Sequence, residues 1–117
     1  MARHLILELW GCNEEVIDSE RTIKDILKEC TYVSGDTLID IKTHKFEPQG
    51  LSAVAMLNSS FMSIHSWPEM GYAAVDIYTT SQDTDLDKIV IIIKKLLMPD
   101  KIQVLNFRRE FDKKELD

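Results

Sequence analysis

Residues 58–78 read NSSFMSIHSWPEMGYAAVDIY, and this stretch decides how the rest of the chain is arranged. It contains two apolar segments, at residues 61–67 and 72–78, with Pro68 and Gly71 between them. Proline cannot donate a hydrogen bond to a sheet, and glycine gives the backbone freedom to reverse. The stretch therefore predicts two neighbouring strands joined by a tight corner.

Two adjacent serines and a histidine give this stretch its chemical interest. Ser59 and Ser60 lie where a strand that ends at Leu57 gives way to the next, and His65 follows five residues after Ser60. A hydroxyl on a turn with an imidazole in the neighbouring segment is, in outline, a nucleophile and its base. Spacing alone leaves open the alternative of ordinary turn serines and a structural histidine.

Length and composition limit the class of protein. The chain has 117 residues, of which 44% are hydrophobic and 29% charged, values typical of one globular domain, residues 1–117, with its own core. A formal net charge of -6 and the absence of a basic stripe argue against a nucleic-acid partner. The longest apolar runs are too short to span a bilayer, so no membrane association is expected.

The two cysteines, Cys12 and Cys30, are too few for a disulfide framework, and no signal peptide precedes the first predicted strand. We therefore expect a cytoplasmic protein in which both thiols are small buried residues. Near the end of the chain, basic pairs at residues 108–109 and 113–114 are interleaved with acidic residues, which predicts a solvated tail.

Hydrophobic periodicity predicts six strands and two helices in the order β-α-β-β-β-β-α-β. The strands are expected at residues 4–10, 37–46, 51–57, 61–67, 72–78 and 102–107, and the helices from Asn13 to about Tyr32 and from Thr84 or Asp85 to Leu97. This order predicts an α+β fold, a two-layer sandwich with both helices on one face of a mainly antiparallel sheet. The other face is left for solvent or for a partner.

Three segments resemble the small prokaryotic class of S-adenosylmethionine decarboxylase, and the resemblance extends over most of the chain. The segments are ARHLILELWGC at residues 2–12, THKFEPQGLSAV at 43–54 and SSFMSIHSWPEMGYAAVD at 59–76. Enzymes of that class cleave themselves and carry a pyruvoyl group, whose ketone forms a Schiff base with the substrate amine and withdraws electrons. The resemblance implies decarboxylation of S-adenosylmethionine by a homodimer, supplying aminopropyl groups for spermidine and other polyamines.

The resemblance also implies how the pyruvoyl group arises. Ser60 is the residue that is converted, and the chain is cut between Ser59 and Ser60. The products would be a beta chain, residues 1–59, and an alpha chain, residues 60–117, which begins with the pyruvoyl group. A strained turn and a nearby base would help each step of such a reaction.

Four other residues match positions that have roles in that class. His65 matches the base of the processing reaction, and Ser52 matches a serine that assists processing. Phe46 matches an aromatic residue that stacks on the adenine of the substrate. Glu69 matches a carboxylate of the binding site, which suits a ribose hydroxyl or a cationic substrate.

Two residues depart from the pattern of that class. Ser59 stands where glutamate usually precedes the cleavage site, and Thr80 falls where a catalytic cysteine returns a proton to the substrate carbon. A thiol ionises near about pH 8.5, whereas an aliphatic hydroxyl has no pKa near neutrality. We therefore expect Thr80 to lie beside the pyruvoyl group without being an effective acid.

Two alternatives stay open at this point. A pyruvoyl enzyme of this kind could decarboxylate arginine or ornithine instead, or the chain could be a catalytically silent paralogue that regulates a partner subunit or binds a polyamine. No metal is expected, because His4, His44 and His65 fall on three predicted strands without the spacing of metal ligands.

Overall fold

The computed structural model describes residues 1–110, which form six strands and three α-helices. The strands are β1 (Ala2–Trp10), β2 (Leu38–Lys45), β3 (Leu51–Leu57), β4 (Ser60–Trp67), β5 (Tyr72–Thr79) and β6 (Lys101–Arg109). The helices are α1 (Glu14–Ile17), α2 (Glu20–Ser34) and α3 (Leu86–Leu97), and a 3-10 turn spans Pro68–Met70.

All six strands belong to one sheet, in the spatial order β2-β3-β4-β5-β1-β6, and every neighbouring pair is antiparallel. The predicted α+β fold with a mainly antiparallel sheet is confirmed. Among residues 1–110, no helix is both long enough and apolar enough to cross a bilayer.

Alternation along the strands decides which face of the sheet the helices cover. In β3, Leu51, Ala53, Ala55 and Leu57 are buried, whereas the residues between them are partly or fully exposed. Apolar residues of α2 and α3 join these side chains in one core cluster. Each fully buried leucine or isoleucine stabilises the fold by about 1.5–3 kcal/mol. The opposite face, here called the open face, carries the remaining side chains of each strand.

The single helix expected over residues 13–32 is wrong, because the structure has two helices there. α1 stops at Ile17, and Ser19 begins α2 by accepting a hydrogen bond from the N–H of Thr22 at 3.2 Å. A serine at this position satisfies one of the free N–H groups at the helix start, which favours a new helix over continuation of the old one.

The break between the helices leaves Asp18 free to hold the β2–β3 connection. The N–H of Gly50 donates to Asp18 Oδ1 at 2.8 Å, and the Lys45 ammonium pairs with the same oxygen. The hydrogen bond from Lys45 and then the one from Gly50 lower the pKa of Asp18 below its usual value. This contact fixes the loop that leads from β2 into β3.

The last strand also differs from the prediction. β6 continues to Arg109, so Arg108 and Arg109 belong to the sheet and the tail expected at these two residues is wrong, although both are exposed to solvent as predicted. The reason is pairing, since Arg108 lies opposite Arg3 and Arg109 lies opposite Ala2 of β1. The second basic pair, residues 113–114, lies outside the described residues.

Both cysteines are buried core residues, as the sequence predicts. Burial, with a smaller contribution from Asp100, raises the pKa of Cys12 to about 11. Burial raises the pKa of Cys30 to about 12, with Glu29 adding to the effect. Thiols with such pKa values are protonated and unreactive at neutral pH.

Candidate active site

The turn between β3 and β4 holds Ser59 and Ser60 against the start of β2. The N–H of Asn58 donates to the carbonyl of Thr37 at 2.9 Å. β4 begins at Ser60 itself, one residue earlier than predicted, and Ser60 pairs with Thr79 of β5. The peptide bond between Ser59 and Ser60 therefore joins a turn to a strand that is already held by its neighbour.

The Ser60 hydroxyl has two polar neighbours. Its Oγ lies 3.0 Å from Asp36 Oδ2 and 2.9 Å from Thr79 Oγ1. The same Asp36 oxygen accepts the N–H of Ser59 at 3.0 Å. Ser60 and Thr79 are buried, and Asp36 is partly exposed. A hydroxyl has one proton, so it donates to one oxygen at a time, and the carboxylate is the stronger acceptor.

Two donors from one residue meet the carbonyl oxygen of Ser59. The backbone N–H of Thr80 lies 2.8 Å from this oxygen, and the Thr80 hydroxyl donates to it at 3.0 Å. Such a pair of donors stabilises the negative charge that the oxygen would acquire if its carbonyl carbon were attacked. The structure thus places Thr80 directly beside the Ser59–Ser60 bond.

A concave pocket of about 500 Å3 opens at this turn, and it is called here the serine pocket. Its lining consists of Leu57, Asn58, Ser59, Ser60, Phe61, Tyr78, Thr80 and Arg109. The rings of Phe61 and Tyr78 stack with their centroids 5.3 Å apart, and the Arg109 guanidinium lies 5.7 Å from the Tyr78 centroid. Aromatic walls with a few polar groups are typical of small-molecule sites.

The other end of β4 carries a second polar cluster. The β3–β4 register places Ser52 opposite His65, and Ser52 Oγ lies 2.8 Å from His65 Nδ1. A pocket of about 200 Å3, here called the histidine pocket, is lined by Phe46, Gln49, Gly50, Leu51, Ser52, His65, Ser66, Trp67 and Glu69. Ser52, His65, Phe46 and Glu69, four residues predicted to act in processing or binding, therefore share one pocket.

The structure does not bring His65 to Ser60 within one chain. Five residues of extended strand separate them, a distance of about 17 Å, and an odd spacing points the two side chains to opposite faces of the sheet. Ser60 follows the buried alternation of β4, whereas His65 lies on the open face. The nucleophile and base suggested by their spacing in the sequence are thus not neighbours in the folded chain.

Asp36 and Thr79 contact the Ser60 hydroxyl, yet sequence reasoning did not identify either residue. Thr79 could have been found by extending the alternation of β5 by one residue, because this places it on the buried face opposite Ser60. No local signal points to Asp36, because its contact with Ser60 spans 24 residues of chain.

The three histidines have separate surroundings. His4 Nε2 lies 3.1 Å from Asp76 Oδ1, and the His44 ring packs edge-on against Phe46 with centroids 4.6 Å apart. Among residues 1–110, no three histidine, cysteine or acidic side chains are grouped in a way that could hold a metal ion.

Sequence comparisons find close relatives over almost the whole chain. The profile of one family, described as S-adenosylmethionine decarboxylase, matches residues 3–110. An S-adenosylmethionine decarboxylase proenzyme of Methanococcus maripaludis strain C7 is 43% identical over 109 residues, 93% of this chain and 89% of the relative. A proenzyme of the same name from Thermosipho melanesiensis is 38% identical and covers 93% of this chain and 84% of the relative.

Solved structures agree with this match. The adenosylmethionine decarboxylase of Aquifex aeolicus superposes with a TM-score of 0.88 at 28% identity, covering 97% of this chain and 93% of that one. The AdoMetDC monomer of Trypanosoma brucei, with a TM-score of 0.61 at 18% identity, covers 87% of this chain and 44% of that one and shows the fold alone. Because the family profile and relatives above 30% identity span nearly the whole chain, the chain belongs to the S-adenosylmethionine decarboxylase family.

Proposed function

We propose that the protein decarboxylates S-adenosylmethionine with a pyruvoyl group that it makes from its own Ser60. The observation that carries this proposal is the set of contacts at one peptide bond: a proton acceptor at the Ser60 hydroxyl and two donors at the Ser59 carbonyl oxygen. The product would supply aminopropyl groups for spermidine synthesis. The two unpaired, buried thiols fit a reducing cytoplasm.

The first step of self-cleavage moves the acyl group of Ser59 from nitrogen to oxygen. Ser60 Oγ attacks the carbonyl carbon of Ser59, and its proton passes to a base. The carbonyl oxygen becomes negatively charged and is held by the N–H and the hydroxyl of Thr80, which stabilise the tetrahedral intermediate. The C–N bond then breaks, and the nitrogen of Ser60 takes a proton, leaving an ester.

The second step breaks the chain. A base removes the proton from the Cα of Ser60, the bond between Cβ and Oγ breaks, and Ser59 leaves with a carboxylate. Water then hydrolyses the resulting dehydroalanine and releases ammonia, which leaves a pyruvoyl group at the start of residues 60–117. Every atom of the pyruvoyl group comes from Ser60 and water, so no residue outside the turn has to supply an atom of it.

His65 reaches this chemistry in our proposal from a second copy of the chain. The open face carries exposed apolar side chains, with Val54 42%, Met56 55% and Phe107 49% exposed, which a homodimer would cover. In a two-fold interface, each residue pair occurs twice. Two open faces packed in this way could bring His65 of each copy to the serine pocket of the other. His65, oriented by Ser52, would then remove the Cα proton of Ser60.

The same packing would join the two pockets into one substrate site. Phe46 and Glu69 line the histidine pocket, and Phe61 and Tyr78 line the serine pocket. We assign Phe46 to stacking on the adenine and Glu69 to a ribose hydroxyl or the cationic part of the substrate. The pyruvoyl group, once formed, would supply the electron sink that decarboxylation of the substrate requires.

The alternatives considered from the sequence are not favoured. The relatives described above carry the name S-adenosylmethionine decarboxylase proenzyme, and none is named for arginine or ornithine. A catalytically silent paralogue would not need the acceptor and donors that meet at the Ser59–Ser60 bond. S-adenosylmethionine is therefore the substrate that we propose.

Intact-mass measurement of the purified protein under denaturing conditions tests this proposal. We expect two fragments, residues 1–59 and residues 60–117, the second starting with a pyruvoyl group that sodium borohydride reduces. Ser60→Ala should remain one chain of 13.5 kDa. The processed protein should release carbon dioxide from S-adenosylmethionine and not from arginine or ornithine. A wild-type chain that stays intact, or that decarboxylates only arginine or ornithine, would contradict the proposal.

A further inference from the structure

We propose that Asp36 is the base that takes the proton from Ser60 in the first step of self-cleavage. This inference rests on the proposed function, because it assigns a residue to the acyl shift described above. The family match does not point to Asp36; the contacts at the turn do. One carboxylate oxygen, Asp36 Oδ2, lies 3.0 Å from the Ser60 Oγ and 3.0 Å from the N–H of Ser59.

The position of Asp36 is fixed by the backbone around it. Gly35 ends α2 with a left-handed conformation, φ 73°, which turns the chain towards β2. The other carboxylate oxygen, Asp36 Oδ1, accepts the N–H of Thr37 at 2.8 Å. The carbonyl of Thr37 accepts the N–H of Asn58, so the segment that carries the acceptor is bonded directly to the turn that carries the nucleophile.

Within residues 1–110, no basic side chain forms an ion pair with Asp36. Its Oδ2 therefore has only the two groups at the cleavage site as hydrogen-bond donors in the described structure. Ser59, the residue before the bond, has no carboxylate, and His65 of the same chain is about 17 Å along the strand. Of the two oxygens that accept from Ser60 Oγ, only the Asp36 carboxylate can act as a base, because the other belongs to the neutral hydroxyl of Thr79.

Thr79 keeps the nucleophile aligned with this acceptor. Thr79 Oγ1 lies 2.9 Å from Ser60 Oγ and also accepts the N–H of Ser81 at 3.0 Å. When the Ser60 proton is directed to Asp36, the Thr79 hydroxyl is free to donate to Ser60 Oγ, which leaves one lone pair of that oxygen for attack. Because Thr79 is fully buried, this arrangement does not depend on solvent.

The step balances with groups already at the site. Ser60 Oγ forms a bond to the carbonyl carbon of Ser59, and its proton moves to Asp36 Oδ2. The negative charge moves from the carboxylate to the Ser59 carbonyl oxygen, where Thr80 donates two hydrogen bonds. When the C–N bond breaks, the protonated Asp36 returns the proton to the departing nitrogen, so the ester forms with no net change at Asp36.

Asp36→Asn tests this assignment, because asparagine keeps the shape and removes the base. Wild-type and variant chains are made by cell-free synthesis with a pulse of labelled methionine, and the appearance of fragments 1–59 and 60–117 is followed on gels. We expect cleavage of Asp36→Asn to be slower by about 100-fold or more, the usual contribution of a general base. Asp36→Glu, which keeps a carboxylate, should be cleaved at least about tenfold faster than Asp36→Asn.

Asp40→Asn is the matched control, because Asp40 is an exposed acid on β2 whose ion-pair partner among residues 1–110 is Lys42, 3.6 Å away. It should be cleaved at the wild-type rate. Formate added to Asp36→Ala should restore cleavage if the missing group is a base, and should have no effect if Asp36 only supports the fold. Thermal unfolding of the uncleaved variants shows whether each one is folded.

Hydroxylamine identifies the step that is blocked, because it splits an ester and leaves an amide intact. Stalled Asp36→Asn should resist hydroxylamine, since the block comes before the ester. An Asp36→Asn chain that accumulates ester, or that is cleaved at the wild-type rate, overturns the role of Asp36. Failure of the wild-type chain to cleave would instead overturn the proposed function, so the two failures are distinguishable.

Discussion

The two ends of β4 carry polar clusters that differ in what they can do alone. At the serine pocket, the nucleophile, a proton acceptor and two donors to the carbonyl oxygen already surround one peptide bond. At the histidine pocket, Ser52 and His65 bond to each other and face no scissile bond. In the proposed mechanism, this difference assigns the acyl shift to residues of one chain and the elimination to His65 from another copy.

A mixture of two inactive variants tests most directly whether the two clusters act together across two copies of the chain. In the proposed mechanism, Ser60→Ala lacks the nucleophile and His65→Ala lacks the base for the elimination, so neither should be cleaved alone. In a mixed dimer, the His65→Ala chain keeps Ser60 and receives His65 from its neighbour. We expect that chain to be cleaved only in the mixture, an increase of about 100-fold or more. Co-expression of differently tagged chains followed by mass spectrometry measures it.

His65→Ala alone serves as the control for this experiment. It should accumulate an ester that hydroxylamine splits between residues 59 and 60. If the His65→Ala chain stayed uncleaved in the mixture while tagged wild-type chains were cleaved, His65 would not act between copies.

Thr80→Cys separates the two roles proposed for residue 80, stabilisation of the Ser59 carbonyl oxygen during self-cleavage and proton donation during decarboxylation. A thiol has a pKa nearer neutrality than an aliphatic hydroxyl and so suits a general acid better, and decarboxylation should become faster by about ten- to a hundredfold. The same change should slow self-cleavage, because a thiol is a weaker donor to the Ser59 carbonyl than the hydroxyl at 3.0 Å. Single-turnover decarboxylation of S-adenosylmethionine and the cleavage time course measure the two effects. If the wild-type chain already turned over fast and Thr80→Cys were no faster, the expectation that Thr80 is not an effective acid would be wrong.

Phe46→Leu tests whether the histidine pocket contributes to substrate binding. Loss of a stacked ring costs about 0.5–1.5 kcal/mol beyond the lost area. We therefore expect the KM for S-adenosylmethionine to rise by about two- to tenfold, with kcat and the rate of self-cleavage unchanged. The matched control is Tyr32→Leu, which removes an exposed aromatic ring from α2, away from the open face and outside both pockets. Equal effects of the two substitutions would show that Phe46 has no special role.

The smallest effect is expected at Asp18, which accepts a hydrogen bond from Gly50 in the lining of the histidine pocket. Its lowered pKa means that its contribution to stability is present above about pH 4 and is lost as the pH falls through the folded-state value. Because the pair with Lys45 is partly exposed, Asp18→Asn should lower the free energy of unfolding at pH 7 by less than about 1 kcal/mol. Urea unfolding at pH 7 and at about pH 3 measures the difference, which should be smaller at the lower pH.

The sequence predicted the sheet well because alternation of apolar and polar residues reports directly on which face is buried. It predicted the helix break poorly, since the apolar spacing of residues 13–32 continues across Ser19 and the cap depends on one hydrogen bond. The candidate site residues were predicted one by one from the family resemblance. Their division between two pockets was not predicted, because it depends on strand register, which places His65 opposite Ser52 and Ser60 opposite Thr79.

Asp36 shows a second limit of the sequence. It lies at the end of a helix, where a polar residue is expected whatever its role, and 24 residues separate it from the hydroxyl that it contacts. Only the pairing of β2 with β3, together with the bond from Asn58 to Thr37, brings that carboxylate to the turn. The spacing of neighbouring residues in the sequence therefore could not predict the contact between Asp36 and Ser60.

The order of strands has a consequence for the cleaved protein. A cut between Ser59 and Ser60 would leave β1, β2 and β3 on one fragment and β4, β5 and β6 on the other. β1 of the first fragment lies between β5 and β6 of the second. The adjacent strands β4 and β5 of the second fragment lie between β3 and β1 of the first. The fragments would stay together after the cut. Once unfolded, however, they would have to find each other in solution, so refolding would depend on concentration. Such a chain folds as one molecule and, after cleavage, can only reassemble as two.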